Sequence, residues 1–347
     1  MSVNARRLAA ATLATGAIAG LVGLACIHLL HWIQALAWDM HGGTLLEAAS
    51  AVSPTRRVLV LTLGGVIGAL SWFLLFRRNK AITSVSAAVA GTPMPPLRAT
   101  WHALTQVLVV GLGASVGREV APREMAAAFA GAAADRLGLR AEDRRIIVAC
   151  GAGAGLAAVY SIPLSGAIYT LEILLVSRSG RAVAPAFLTS GIAVLISTGF
   201  TRPAPFYTVP TLTPSLSLTV FGALVGPLLG AAGWAFKQAV ARVGAARPRD
   251  WRLLLTLPAA FLVVGLIASR LPSVLGNGQA SAQTQFDAMW AAGAGLAFAA
   301  LVLAAKTLTT FLTIRAGGWG GVLTPAVALG AGLGAVIGLP WAAAWPG

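Results

Sequence analysis

The chain has 347 residues, of which 57% are hydrophobic and only 10% charged, and its net charge is +15. Soluble domains carry about 25% charged residues, so this composition excludes a soluble globular protein. The Lys and Arg residues cluster at the ends of apolar segments, as the positive-inside rule and anionic head groups require. We therefore interpret the positive charge as a membrane signature and expect no nucleic-acid partner.

Long runs without Asp, Glu, Lys or Arg follow one another along the chain, and a helix of about 20 apolar residues crosses a bilayer. These runs are Leu8–Trp38, Val58–Phe76, Ile146–Leu171, Ala182–Thr201, Ala288–Ala305 and Ala316–Gly347. The first is too long for a signal-peptide core and lacks a clear cleavage site, so we expect a retained first helix. The sequence predicts an all-α, multi-pass protein of the cell (inner) membrane, with one transmembrane domain over residues 1–347.

Cysteine and histidine do not form a metal-binding pattern. Cys26 and Cys150 lie in apolar runs without CxxC spacing, and the His28/His31 pair has no nearby carboxylate or thiol. We expect no metal and no other cofactor. Glycines recur at four-residue spacing, as in Gly151/Gly155 and Gly222/Gly226/Gly230, which indicates closely packed membrane helices.

The two halves of the chain repeat three segments in the same order. The pairs are Gly20–Leu36 with Gly226–Val240, Leu61–Leu74 with Phe261–Leu275, and Gly117–Pro122 with Gly320–Pro325. We predict a first repeat over residues 10–201 and an incomplete second repeat over residues 215–347. Such repeats are typical of transporters, where they are often inverted and place discontinuous helices and the substrate near the membrane midplane.

The third pair, "GREVAP" (117–122) and "GGVLTP" (320–325), is interrupted by Gly and Pro in corresponding places. Glycine permits close backbone approach, and proline is tolerated in the first turn of a helix. Each segment therefore predicts a loop that opens into a helix. The N-terminal N–H groups and positive dipole ends of two such helices, facing each other at the midplane, would attract an anion.

Glu119 places a carboxylate in the first of these segments. It would compete with an anion for the same N–H groups, and burial favours its protonated form, so proton uptake would release it and open the path. The alternative is that Glu119 only pairs with Arg118 or Arg123 at the helix start. Glu124, beside Arg123, is interpreted as a structural ion-pair partner.

These motifs together resemble the CLC anion channels and transporters. "GREVAP" is similar to the gating-glutamate segment of that family, "GAGAGLAAVYSIPLSGAIYTLEI" (151–173) to its central helix pair, and "GNGQ" (276–279) to a loop of its second half. The resemblance implies a CLC-type inverted-repeat bundle, a homodimer with one anion path per subunit, and transport rather than enzymatic chemistry.

Within the family, Val120-Ala121-Pro122 and Leu323-Thr324-Pro325 resemble the fluoride-exporting branch, whose members exchange fluoride for protons. That resemblance makes Glu119 the gating and proton-carrying residue and places Leu323 and Thr324 at the central anion site. The full anion-binding set predicted in this way is Gly117, Arg118, Val120, Val322, Leu323, Thr324 and Lys80.

Three features depart from the chloride branch. Lys80 stands at the position of a serine that contacts the central ion, and it is either an anion-attracting charge or a cytoplasmic positive-inside residue. Glu172 is followed by Ile173 instead of a second glutamate, which leaves Glu172 as a structural carboxylate that needs a hydrogen-bond partner. The sequence stops at "GLPWAAAWPG", before several helices expected of the family, so the chain is a fragment or a natural short form.

Other functions stay open on the residues alone. A chloride channel or a chloride/proton exchanger would use the same segments with another anion. An intramembrane enzyme using Glu119 as a base lacks a second catalytic partner in the corresponding segment. A shortened form without transport activity is the last alternative.

Overall fold

The computed structural model describes residues 3–77, 82–177, 179–199, 205–209, 214–290 and 295–345. Over these ranges the chain is helical and has no β-strand, which confirms the all-α prediction. The helices are α1 (Val3–Trp38), α2 (Leu45–Ala51), α3 (Pro54–Phe76), α4 (Val85–Val89), α5 (Pro96–Gly111), α6 (Val120–Arg136), α7 (Ala141–Tyr160), α8 (Pro163–Tyr169), α9 (Gly180–Ser197), α10 (Leu216–Ala245), α11 (Leu253–Arg270), α12 (Gln279–Trp290), α13 (Leu296–Arg315) and α14 (Leu323–Ala344).

Seven helices in the described ranges are long and apolar enough to cross a membrane. They are α1, α3, α9, α10, α11, α13 and α14. This confirms a multi-pass membrane protein. α10 and α11, which the uncharged runs did not reveal, carry basic residues at their ends and enclose the basic stretch that contains Arg247 and Arg249. Burial, with the charge of Arg249, lowers the pKa of Arg247 to about 10.

The run Ile146–Leu171 contains two helices rather than one. α7 ends at Tyr160 because Ser161 takes a left-handed conformation (φ 57°), and Pro163 then begins α8. A π-helical turn, Thr170–Leu175, continues α8. This pair is what the resemblance of residues 151–173 implied, and the break at Ser161 fixes where the Tyr160 side chain is held.

The chain divides into two compact units. Unit 1 comprises Met1–Trp32, Leu74–Leu108 and Arg118–Ala204; unit 2 comprises Ile33–Phe73, Val109–Gly117 and Pro205–Gly347. The division groups parts of the first half of the chain with the second half. The predicted repeats, 10–201 and 215–347, describe an internal symmetry and stay a prediction.

Close helix contacts in unit 1 depend on glycine. A Cβ added to Gly151 would lie 2.7 Å from the Ala126 carbonyl oxygen, and one added to Gly155 would lie 2.5 Å from that of Pro122. α6 and α7 therefore pack backbone to backbone, as the four-residue spacing predicted. In unit 2 the glycines of α10 differ: a Cβ on Gly222, Gly226 or Gly230 would meet no atom of the described residues within 4 Å, so these glycines do not mark a close helix contact there.

Candidate functional site

Both Gly-x4-Pro segments open a helix in the same register. α6 begins at Val120 with Glu119 as its N-cap residue, and α14 begins at Leu323 with Val322 as its N-cap residue. Pro122 and Pro325 are the third residues of their helices, where a missing N–H removes no intrahelical bond. The loop-to-helix transitions expected from the sequence are thus present at both places.

In unit 2 the backbones of the two segments are joined directly. Gly117 N donates to Gly321 O at 2.6 Å, and Gly321 N donates to Gly117 O at 2.8 Å. Gly320 sits so close that an added Cβ would lie 2.7 Å from the Cβ of Val116 and 3.1 Å from the Gly117 carbonyl oxygen. Glycine is required at position 320 because any side chain there would push the two backbone segments of the bridge apart.

The bridge leads into the first turn of α14. Val322 is half-buried, the Thr324 side chain is buried, and Leu323 is half exposed. Gly278 packs on this turn: a Cβ added there would lie 3.1 Å from the Thr324 carbonyl oxygen. The start of α14 therefore combines a positive helix end with a threonine hydroxyl, an arrangement suited to a small anion.

Glu119 belongs to unit 1 and is buried, with 1% of its surface exposed. The Tyr160 hydroxyl donates to Glu119 Oε2 at 3.2 Å. The Arg118 guanidinium carbon lies 5.5 Å from the centre of the Tyr160 ring, within the range of a cation–π contact. Val120, at the first position of α6, is half-buried. Glu119, Arg118 and Tyr160 thus form one cluster at the start of α6.

Tyr160 was missed by the sequence analysis. The available signal was the Ser-Ile-Pro that follows it, since proline disfavours helix at the preceding residue and so indicates a helix end. A tyrosine at such an end can project its hydroxyl toward a neighbouring helix start. Its reach to Glu119 depends on how α6 packs on α7.

Glu124 does not pair with Arg123, which corrects the sequence-based expectation. Glu124 Oε2 lies 2.7 Å from His102 Nδ1 and 3.0 Å from Gln106 Nε2, and all three side chains are buried. Arg123 instead donates to the Tyr169 hydroxyl and stacks over that ring. The helix period separates the two neighbours, since adjacent residues of α6 point about 100° apart.

Lys306 on α13 is a second residue that the sequence analysis missed. Its side chain is fully buried in unit 2, and Nζ donates to Ser115 Oγ at 2.8 Å. Nζ also donates to the carbonyl oxygens of Val274 at 2.9 Å and Gly276 at 2.8 Å. The uncharged run Ala288–Ala305 ends immediately before this lysine, which was the available signal.

Two other predicted residues fall elsewhere. Lys80 lies outside the described residues. Glu172 lies in the π-helical turn, where its side chain is exposed and has no hydrogen-bond partner among the described residues. It borders a groove with Val176 and Ser177. The hydrogen-bond partner expected for Glu172 is thus not found among the residues that the structure describes.

The profile of the family described as "Voltage gated chloride channel" matches residues 64–347, which include both Gly-x4-Pro segments. This chain belongs to the voltage-gated chloride channel (CLC) family. The match confirms the resemblance drawn from the motifs, and Gly117, Glu119, Lys306 and Thr324 lie inside the matched range.

Curated relatives extend over almost the whole chain. A putative chloride channel protein ClcB-like from Ralstonia nicotianae is 29% identical over 356 residues, which cover 95% of this chain and 80% of that protein. A voltage-gated ClC-type chloride channel ClcB from Escherichia coli O81 is 30% identical over 351 residues, with 96% and 80% covered.

Two solved structures share the fold. A slow cyanobacterial Cl⁻/H⁺ antiporter superposes with a TM-score of 0.80 at 19% identity, over 98% of this chain and 81% of that one. A CLC-type fluoride/proton antiporter superposes with a TM-score of 0.68 at 22% identity, over 96% and 82%. The predicted CLC-type helical fold is confirmed.

Proposed function

We propose that this chain is a fluoride/proton antiporter that exports fluoride across the plasma membrane, with Glu119 as the gating and proton-carrying residue. One observation carries the proposal: Glu119 is a buried carboxylate at the N-terminus of α6 and accepts a hydrogen bond from Tyr160. An ionisable group buried in a membrane protein is expensive and marks function by default.

The exchange follows from the charge of Glu119. The ionised carboxylate is attracted by the positive end of α6 and by the Tyr160 hydroxyl, so it holds the position an anion would take. Protonation removes the charge and weakens both attractions, and an anion can then enter. Moving one elementary charge through 100 mV is worth about 2.3 kcal/mol, so inward proton movement can drive anion export.

Fluoride as the transported anion is supported by the residues that follow Gly117 and Gly320. It is small and strongly hydrated, so its site needs several N–H and O–H donors in a small volume. We propose that the buried Thr324 hydroxyl and the first turn of α14, which begins at Leu323 after Val322, supply such donors in unit 2. Gly117, whose N–H donates to Gly321 O, is proposed to shape the loop that leads to them. Arg118 and Val120 are proposed to flank Glu119, and Lys80 stays a prediction.

The remaining parts of the proposal come from the family. We propose a homodimer with one anion path per subunit, in which the chain carries ions and catalyses no chemical conversion. Because the reaction is exchange, only halide anions and protons are required as partners.

Chloride is the second candidate anion. It is supported by the names of the curated relatives from Ralstonia nicotianae and Escherichia coli, both of which refer to chloride channels. The same Glu119 gate would serve a chloride channel or a chloride/proton exchanger, so the anion and the coupling have to be measured separately.

The test is ion efflux from liposomes that contain the purified full chain. Fluoride and chloride efflux are followed with ion-selective electrodes, and proton uptake with a pH-sensitive dye. We expect fluoride efflux with proton uptake, and loss of the coupled proton movement in Glu119→Gln. Glu142→Gln, an exposed carboxylate in the first turn of α7, is the matched control. Chloride efflux that equals fluoride efflux without proton uptake would reject fluoride antiport, and efflux of neither ion would reject transport.

A further inference from the structure

Lys306 is a fully buried lysine within a candidate membrane span. The three oxygens that it contacts, on Ser115, Val274 and Gly276, match the three N–H donors of an ammonium group. Two of these oxygens are carbonyls, which only accept. The contact geometry therefore fits a charged lysine with all of its donors used.

No acid neutralises this charge in the part of the chain that the structure describes. The ion pairs found there involve other residues, and no Asp or Glu oxygen lies within 4.0 Å of Lys306 Nζ. A charge buried without a counter-ion is strongly unfavourable, and buried charges in membrane proteins commonly line ion pathways. The oxygens of Ser115, Val274 and Gly276 stabilise the ammonium, and an anion held nearby would stabilise it further.

Lys306 lies close to the Gly117–Gly321 bridge of unit 2, which precedes the start of α14. Ser115, which receives one ammonium hydrogen bond, precedes Gly117 by two residues, and Gly117 pairs with Gly321 just before α14. Ser115 Oγ also lies 3.0 Å from Thr309 Oγ1 and 3.2 Å from Thr310 Oγ1. The same lysine fixes the 274–276 turn, whose Gly276 N donates to Gly113 O at 3.0 Å. One ammonium thus holds α13, this turn and the segment 113–117 together.

We propose that Lys306 is a positioning residue whose charge also favours the transported anion: it holds the segment 113–117 against the residues that precede α14, and the transported anion is its counter-ion. This inference rests on the proposed anion transport. Two residues span at most about 7 Å, which puts the ammonium within about 10 Å of the bridge. A unit charge at that distance and an effective dielectric constant of about 20 changes anion affinity roughly tenfold.

The experiment measures fluoride and chloride binding to the purified chain by titration calorimetry, together with efflux from liposomes. Lys306→Met removes the charge and Lys306→Arg keeps it. Lys237→Met removes an exposed lysine of α10 in the same unit and is the matched control. We expect Kd to rise roughly tenfold in Lys306→Met, to stay within about threefold of wild type in Lys306→Arg, and to be unchanged in Lys237→Met. A purely structural role would reduce the yield of folded protein and leave the Kd of the folded fraction unchanged.

A folded Lys306→Met protein with the wild-type Kd overturns the inference. So does a folded Lys306→Arg protein whose Kd rises as far as that of Lys306→Met. If Lys306→Met does not fold, Lys306→Gln decides, because its amide keeps N–H donors for the carbonyl oxygens of Val274 and Gly276 and carries no charge. Its Kd should rise roughly tenfold, and a folded Lys306→Gln protein with the wild-type Kd overturns the inference. Wild-type protein that binds and transports neither anion rejects the proposed function itself, which is a separate result.

Discussion

Replacing Tyr160 by phenylalanine deletes one oxygen atom from the Glu119 cluster. The ring remains, and with it the contact with Arg118, so the change isolates the hydrogen bond to Glu119. A hydrogen bond to a charged group contributes about 1.5–3 kcal/mol. Its 3.2 Å length exceeds the usual 2.5–2.7 Å of an O–H to carboxylate bond, so the lower value, about 1.5 kcal/mol, applies here.

The direction of the change in pH dependence depends on which form of Glu119, ionised or protonated, the hydrogen bond stabilises. The hydroxyl donates to the ionised carboxylate, so its loss makes Glu119 easier to protonate. If protonation opens the anion path, the pH of half-maximal flux rises by about one unit in Tyr160→Phe, because one pH unit corresponds to about 1.4 kcal/mol.

The assay is anion efflux from liposomes over a series of symmetrical pH values. Tyr169→Phe is the matched control, because the Tyr169 hydroxyl accepts a hydrogen bond from Arg123. Its midpoint should equal that of wild type. A Tyr160→Phe midpoint that is unchanged or falls would refute the reasoning that the Tyr160 hydroxyl stabilises the closed, ionised Glu119.

Three further predictions concern packing and buried polar contacts. His102→Leu removes the imidazole that contacts buried Glu124 and should lower the free energy of unfolding by about 3 kcal/mol. The measurement is denaturant titration in detergent, and the exposed control Glu142→Gln should leave this free energy unchanged. Arg57→Ala should lower the free energy of unfolding by at least as much, and Arg57→Lys should not restore it. The reason is that the guanidinium donates to five carbonyl oxygens, those of Ala49, Ser50, Val52, Ala268 and Ser269. A lysine variant as stable as wild type would show that the charge alone suffices. Gly320→Ala should lower the free energy of unfolding by about 1–3 kcal/mol and abolish anion efflux, because the added methyl group overlaps Val116 beside the Gly117–Gly321 bridge. Efflux at the wild-type rate would contradict that geometry.

Much of the fold could be predicted from local patterns. Absence of charge identified α1, α3, α9 and α14, and the Gly-x4-Pro spacing identified the starts of α6 and α14 in the correct register. These features depend on residues close together in sequence. Hydropathy and proline act over one helix or one turn, so a single sequence contains enough information to find them.

The side-chain partners could not be predicted in the same way. Ser115 and Lys306 are 191 residues apart in sequence, and Tyr160 follows Glu119 by 41 residues. Two of the three acceptors of Lys306 are backbone carbonyls, which every residue has and no motif reveals. Glu124 was assigned to its sequence neighbour Arg123, but its partners His102 and Gln106 lie on another helix.

The most direct test of the central claim is proton movement driven by an anion gradient alone. Liposomes containing the wild-type chain are loaded with fluoride and diluted into fluoride-free buffer at equal pH, with the membrane potential clamped to zero by a potassium ionophore. The proposal predicts that outward fluoride flow drives protons inward, against the proton gradient that develops, and that Glu119→Gln abolishes this proton movement while Glu142→Gln retains it. Fluoride efflux with no proton movement in the wild-type protein would contradict proton-coupled exchange through Glu119.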